Sequence, residues 1–530
     1  MILITWVLVA VTALWLYFRR RYSRFTSRGV KHLPVVPLLG HMLPIMMKKH
    51  HVAYHIDMMY HKFANERFIG RYEFVSPTIV IKDLKLIKKI TIKDFEHFID
   101  HKDFTDATLD PLFGRNLFSL TGHEWKQMRS FLSPAFTSSK IRHMMPMIEK
   151  VAKQMTEALK SDLKESESSY IEVDCKDLTT RSTNDVIASC AFGLKTDSYK
   201  EPNNPFYIVA KNITSFELRH FILFFTYASF PALFRLLKLT LLTKETVQFY
   251  KDLVLNTMKD REVRNILRPD MIHLLMEAKK GTLKNDDKNV IKDFGFATVD
   301  ESTLANKTEF RAWSDVDLVA QAVIFLVAGF ETVSSALTSA LYELANNKDV
   351  QDKLAEEIKE FDAKNNGKMD FETVSSMNYM DMVVSEVLRV WPPLTILDRI
   401  CVKPYNLGKP NKDASDDFTV NKGEVVVIPV WSLHHDPNYF RDPEKFDPER
   451  FSEENRREID PFIYMPFGIG PRNCIASRFA LCELKVLLYL IIKEFEICPS
   501  PRTVYPERLS AGSFHNRFDS GHWVRFNIRS

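Results

Sequence analysis

The sequence predicts a mainly α (α+β) fold: a helix-rich body with small β-sheets, preceded by an N-terminal transmembrane anchor. Three observations lead there. Glycine is scarce, at 16 of 530 residues, while phenylalanine reaches 39, which suits long helices around large apolar interiors better than a many-turned β protein. Helical periodicity dominates residues 123–260 and returns over 315–348. Residues 1–18 carry no charged side chain. The remaining composition, 45% hydrophobic and 26% charged, excludes wholesale disorder and a polytopic membrane protein. A net charge of +4 excludes a dedicated nucleic-acid binder.

At helical rise, the uncharged run spans about 27 Å, close to the thickness of a thin bilayer core. Arg19, Arg20, Arg21, Arg24 and Arg28 follow it, and Trp15 and Tyr17 fall where an aromatic belt would lie. The basic flank directs the rest of the chain to the cytosol. A cleaved secretory peptide is the competing reading, but the arginine wall and six scattered cysteines without a CxxC pair favour an uncleaved signal anchor in a reducing compartment. Residues 19–47 read as a basic, proline-rich linker in which Pro34, Pro37 and Gly40 make a stiff elbow. No linker divides residues 48–530, so they form one domain.

Within that domain, residues 71–75 and 78–81 alternate as a hairpin split by Ser76-Pro77. Residues 216–237 are unusually aromatic, which fits either a buried helix pair or a lid over a ligand. Residues 281–310 are polar and aperiodic and read as an exposed loop. The apolar centre of the 315–348 helix, residues 318–330, is too short to cross a membrane, contains Gln321 and runs into Glu331. It reads as a core helix.

The sharpest signal is Phe467-Gly468-Ile469-Gly470-Pro471-Arg472-Asn473-Cys474-Ile475-Ala476, with an amphipathic helix directly after it. A glycine- and proline-rich turn delivers one cysteine to a helix N-terminus, whose N–H groups favour a thiolate. A thiolate held in this way can ligate haem iron. A buried structural cysteine is the plainer reading, and the Gly468, Gly470, Pro471 and Arg472 surroundings argue against it. Cys482 reads as core. In the long helix, Gly329 precedes Glu331-Thr332, an acid beside an alcohol, where dioxygen could sit against the glycine while the pair moves protons; a back-bonded threonine and a solvated glutamate are the plainer account. Glu386 and Arg389 share a helix face before Trp391-Pro392-Pro393, and a buried pair there needs a further partner, for which Arg450 is the candidate. Trp125 and Arg129 also share a face, and with Arg399 and Arg472 they could grip the propionates of a haem, ordinary surface basicity being the alternative.

Taken in this order, these segments resemble the cytochrome P-450 family from Pro34 onward, and the anchor and proline elbow resemble its microsomal, insect xenobiotic-metabolising members. The resemblance implies haem b with Cys474 as its axial ligand and Phe467, Gly329, Trp125, Arg129, Arg399 and Arg472 around it. It implies proton delivery near Thr332 and Glu331, and a structural cluster of Glu386, Arg389 and Arg450. It further implies a monooxygenase of small lipophilic substrates at the endoplasmic reticulum membrane, supplied with electrons by an NADPH–cytochrome P-450 reductase and a small acidic cytochrome b. The family usually has glycine where this chain has Ala476, and a further haem-edge contact falls near His101. A basic partner-facing surface is expected from Lys126, Arg129, Lys140, Arg142 and Lys485. Pro393, Leu394, Thr395, Ile396 and Phe514 are expected to line the pocket, entered between 216–237 and the stretch from Phe104 to Phe118. A reductase-independent hydroperoxide isomerase or dehydratase and a non-catalytic haem-binding protein are the alternatives. The Glu331-Thr332 pair argues against both.

Overall fold

A capping box starts the central helix. Ser314 Oγ accepts from Asp317 N, Asp317 Oδ2 accepts from Ser314 N, and the helix runs from Asp315 to Asn346. In this computed structural model, which describes residues 2–103, 105–214, 218–281, 295–299, 313–513 and 515–529, that helix is the axis of the core. Helix Cys175–Phe192 lies along it, with Thr179 Oγ1 2.8 Å from Thr338 Oγ1 and Thr183 Oγ1 donating to Phe330 O at 3.2 Å. Helices Ser138–Glu165 and Ser477–Glu494 complete the bundle. The central helix is long and apolar enough to cross a membrane, yet most of it is buried inside the protein. Gln321, the polar residue within its apolar centre, accepts from Leu117 N at 2.8 Å and donates to Arg115 O at 3.0 Å, so it pins a loop.

Strand Phe68–Glu73 turns at Phe74 and Val75 into Ser76–Ile81, an antiparallel hairpin with Ile69 opposite Val80. The predicted split at Ser76-Pro77 instead falls inside the second strand. Proline is tolerated there at the strand's start. Val425–Ile428 joins parallel to the hairpin and Leu397–Ile400 closes the four-stranded sheet antiparallel, with Arg399 opposite Val426. A three-stranded sheet pairs Tyr170–Asp174, Trp523–Ile528 and Phe495–Pro499; the first of these strands was hidden by the helical pattern around it.

The N-terminal helix, Ile2–Thr26, does not stop at the arginines. Its apolar part is open to its surroundings, with Trp6 68% and Leu8 61% exposed, whereas Phe25 is fully buried against Tyr72 and Phe418. Arg24 grips Glu424 in two bonds, at 2.7 and 2.9 Å, and donates to Thr419 O. Its last turn is therefore part of the small-sheet core, and residues 19–47 are not a uniform linker. Phe25→Ala should cost about 3–5 kcal/mol of stability, the range for emptying a buried aromatic site. Trp6→Ala should cost nothing in detergent. Chemical denaturation of the two variants checks this.

The setting of two stretches, one aromatic and one polar, is given by burial. Helices Leu218–Ser229 and Pro231–Leu236 are not a buried pair: Ile222, Phe230, Leu233, Leu236 and Leu237 are all exposed. On the inner side, Phe225 packs on Phe74 (ring centroids 4.6 Å). Residues 282–294 and 300–312 lie outside the described residues. Between them, however, residues 295–299 are not an exposed loop, since Ala297 is buried against the core.

Candidate haem-binding site

The cysteine loop is folded by its own backbone. Gly468 N donates to Met465 O at 3.0 Å, Asn473 N to Gly470 O at 3.0 Å, and Cys474 N to Phe467 O at 2.8 Å. Gly470 has φ +75°, and a side chain there would collide with the carbonyl of Thr91, in the π-helical segment Lys89–Lys93. Helix Ser477–Glu494 starts immediately afterwards, with Ala476 as its N-cap at φ −106°, a value that any residue adopts. Alanine in place of the family's glycine therefore brings no backbone strain.

Cys474 has an accessible thiol amid buried neighbours: Arg472, Asn473 and Ser477 are each no more than 8% exposed. Burial pushes the thiol above its ordinary range; the Ala476 N–H and the Arg129 cation oppose this without overcoming it. The helix-start N–H thus works toward a thiolate, and a bound metal cation would complete the deprotonation of a coordinating thiol. The central helix shows the same pattern: Ala328 is exposed in a run that is otherwise largely buried. These accessible positions are where a prosthetic group can reach both the cysteine loop and the helix.

The three arginines differ in what they have left to give. Arg472 donates to backbone oxygens, Ile99 O and Leu120 O at 2.7 Å and Leu117 O and Phe118 O at 3.3 and 3.2 Å, and to Asp100 Oδ1 at 3.4 Å, and it stacks on Trp125 at 4.1 Å. It knits residues 99–120 to the cysteine loop, a role the sequence did not reveal because most of its acceptors are main-chain. Arg129 bonds Asn473 twice, through O and Oδ1, both at 2.8 Å. Arg399 is fully buried, donates to Asp398 O and Ile469 O, and keeps Nε without a partner. Burial lowers Arg399 to about 10, while burial and then the neighbouring Arg399 lower Arg472 to about 9. Two adjacent buried cations stand here, and Arg399 keeps an orphan N–H although Asp398 adjoins it and Asp100 lies 3.4 Å from Arg472. Together with a soft sulfur donor, this fits a haem carrying propionates. His101 lies beside them, its Nδ1 3.1 Å from Asp398 Oδ1 and its ring stacked on Phe118. Asp398 also accepts from Lys102 N, and these partners hold its carboxyl down at about 2 despite burial.

Across the fold, Thr332 Oγ1 donates to Ala328 O at 2.5 Å, a back-bond within its own helix. Glu331 is not solvated. It is 3% exposed, with Lys176 Nζ at 3.0 Å and Arg517 Nη2 at 3.8 Å, and these cations hold its pKa below the ordinary value against burial. Lys176 was missed. A lysine in the first turn of a buried helix, two residues after its Asp174 cap, was the available signal. Gly329 has a packing reason: a Cβ there would come within 2.6 Å of Ile187 Cδ1.

Glu386, Arg389 and Arg450 meet away from the surface. Arg389 binds both Glu386 oxygens, at 2.7 and 2.9 Å, and Arg450 Nε reaches Oε1 at 3.3 Å. Arg389 also donates to His434 O and Pro443 O, and Asp447 N to Glu386 Oε1. At the expected pocket, Leu394 is 52% exposed and Asn516 Nδ2 donates to Pro392 O, joining the C-terminal loop to the 392–396 turn. Phe514 and Phe104 lie outside the described residues. Arg235 pairs with Asp106 at 2.6 Å, and Leu241 N and Leu242 N donate to Asp110, so the aromatic region is tied to residues 105–110.

The expected basic surface is only partly open. Arg129 is turned inward and Lys485 is fully buried on Asp381, whereas Lys126 and Arg142 stay partly exposed, paired with Glu96 and Glu372, and Lys140 is half-buried. Exposed lysines cluster elsewhere, at Lys85, Lys88, Lys89 and Lys93, on the segment that touches the cysteine loop at Gly470.

Comparison with known proteins agrees with this geometry. The family model described as Cytochrome P450 matches residues 31–516. The chain is 42% identical over 518 residues to "Cytochrome P450 9e2" of Blattella germanica, covering 96% of this chain and 94% of that protein. It is 40% identical over 519 residues to "Probable cytochrome P450 9f2" of Drosophila melanogaster (96% and 95% covered), and 37% identical over 506 residues to "Cytochrome P450 6k1" of Blattella germanica (95% and 92%). With a cysteine loop, buried arginines and an acid–alcohol helix in one fold, matched over nearly its whole length, the chain belongs to the cytochrome P450 family and is a haem b monooxygenase.

Proposed function

We propose that this monooxygenase is anchored in the endoplasmic reticulum membrane by residues 1–18. In this reading it oxidises small lipophilic compounds, xenobiotics among them, with electrons from an NADPH–cytochrome P-450 reductase assisted by a small acidic cytochrome b. The observation that carries the reading is the accessible thiol of Cys474 within a shell of buried residues. Haem b, when bound, supplies dioxygen activation and the transfer of one oxygen atom to substrate. The chain supplies the rest. Cys474 would hold the haem iron, Arg399, Arg129, Arg472 and Trp125 would hold the propionates, and Thr332 and Glu331 would move protons. Because Lys176 and Arg517 keep Glu331 anionic, it acts first as a proton acceptor. The accessible side chains of Ala328 and Leu394 offer an apolar wall for substrate. Support for the anchor comes from the exposed apolar residues of helix Ile2–Thr26 and the arginines that follow.

Reconstitution with reductase tests the function: substrate-dependent NADPH oxidation should accompany a product carrying one added oxygen atom. Turnover that needs neither NADPH nor O₂ would sink the reading. For the partner, Lys88 and Lys89 replace the inward-facing cations as the attractive surface. Lys88→Glu/Lys89→Glu should raise the reductase concentration for half-maximal turnover roughly tenfold, less at high salt, with the ferrous–CO spectrum unchanged. An unaltered reductase titration would count against this surface.

A further inference from the structure

Within the polar connection between helices Met271–Lys279 and Asp315–Asn346, the tripeptide Gly295-Phe296-Ala297 is seated in a built site. The Phe296 ring stacks on Tyr464, with centroids 5.5 Å apart and planes at 24°, and meets Phe451 at 5.4 Å. Phe296 N donates to Asp381 Oδ2 at 2.9 Å, and Asp381 Oδ1 accepts from Lys485 Nζ at 2.9 Å. Gly295 has φ +137°, and any side chain there would collide with the Asp381 carboxylate. Ala297 is 5% exposed and Lys485 0%.

Two walls of the slot are held by bonds that the occupant does not make. Tyr464 is fixed by its own hydroxyl, which donates to Ser385 O at 3.0 Å, and Asp381 is held by Lys485. Its walls come from separate elements, helices Asn378–Val390 and Ser477–Glu494, the turn Pro448–Phe451, and Tyr464. A flat aromatic slot beside a carboxylate that accepts a backbone N–H is how a protein reads an extended peptide. None of these groups serves the haem site. The helix that carries Lys485 starts directly after the cysteine loop.

We propose that Asp381, Lys485, Phe451 and Tyr464 form a peptide-binding slot specific for a Gly-Phe-Ala segment. It is occupied in cis by residues 295–297, and this occupancy covers the Lys485 edge and restricts reductase access. The restriction rests on the reductase reading above; the slot itself does not. Unseating the segment uncovers the Asp381–Lys485 edge, so apparent reductase affinity rises in proportion to the uncovered fraction.

The test uses the Phe296→Ala holoenzyme and a synthetic peptide spanning residues 292–299. The variant should reach half-maximal turnover at a reductase concentration lower by about threefold or more, with unchanged turnover at saturating reductase and an unchanged ferrous–CO band. Added peptide should restore the wild-type requirement, and a scrambled peptide should not. Independently, anisotropy of the labelled peptide should report binding to Phe296→Ala and none to Phe296→Ala/Asp381→Asn. Absence of binding to the single variant overturns the slot. Binding with an unchanged or increased reductase requirement overturns the restriction. If reductase drives neither protein, the partner reading fails, and the anisotropy still decides the slot.

Discussion

Cys474→Ser protein will take up haem without giving the ferrous–CO band typical of thiolate ligation, and it will not turn over. The reason lies in the loop. Cys474 is held at a helix start, with its N–H bonded to Phe467 O, so that one atom faces the accessible interior. Sulfur there can be deprotonated by a cation, whereas a serine hydroxyl is a far weaker acid and a harder donor. Cys482→Ser is the control. Cys482 is fully buried within the following helix, and burial drives its thiol well above the ordinary range, so it cannot substitute as ligand. Reduced, carbon-monoxide-treated spectra of both variants decide the matter. A normal band from Cys474→Ser would mean that the ligand lies elsewhere.

Arg389→Ala should prevent accumulation of the folded haem protein, because it leaves Glu386 buried with too little positive charge. Breaking a buried pair from one side costs about 3–5 kcal/mol, against a total stability of about 5–15 kcal/mol for a typical domain. Arg389 also bridges to His434 O and Pro443 O, so three chain segments lose their common donor. Arg450 touches the same carboxylate only at 3.3 Å and is partly exposed, so Arg450→Ala should cost about 1–3 kcal/mol and leave a measurable protein. Denaturant unfolding followed by haem absorbance gives the ranking. Equal losses from the two variants would show that the network is not centred on Arg389.

How much of this could be read from the sequence varied with the kind of partner each residue has. The cysteine loop was legible because its turn needs glycine and proline at fixed places and its donor is a single residue type. The Glu386–Arg389 spacing was legible because both partners are side chains on one helix. The bracing role of Arg472 was not legible, because four of its acceptors are carbonyls between residues 99 and 120, which leave no mark in residue identity. Lys485 looked like a surface cation because charge is visible in a sequence and accessibility is not. Lys485 is fully buried, with Asp381 as its partner and Gly295 beside it. The 295–299 stretch was hidden for the same reason: its flanks are polar and aperiodic, and three residues carry no periodicity of their own.

The fused end of the first helix has a practical bearing on how this enzyme can be handled. A trimmed version starting near Arg19 keeps the wedge of Phe25 and the clamp of Arg24 on Glu424. One starting near Val30 discards both and opens the sheet edge to water. In the intact protein the same joint acts as a splint, so that whatever attitude the hydrophobic rod takes sets the heading of the catalytic body.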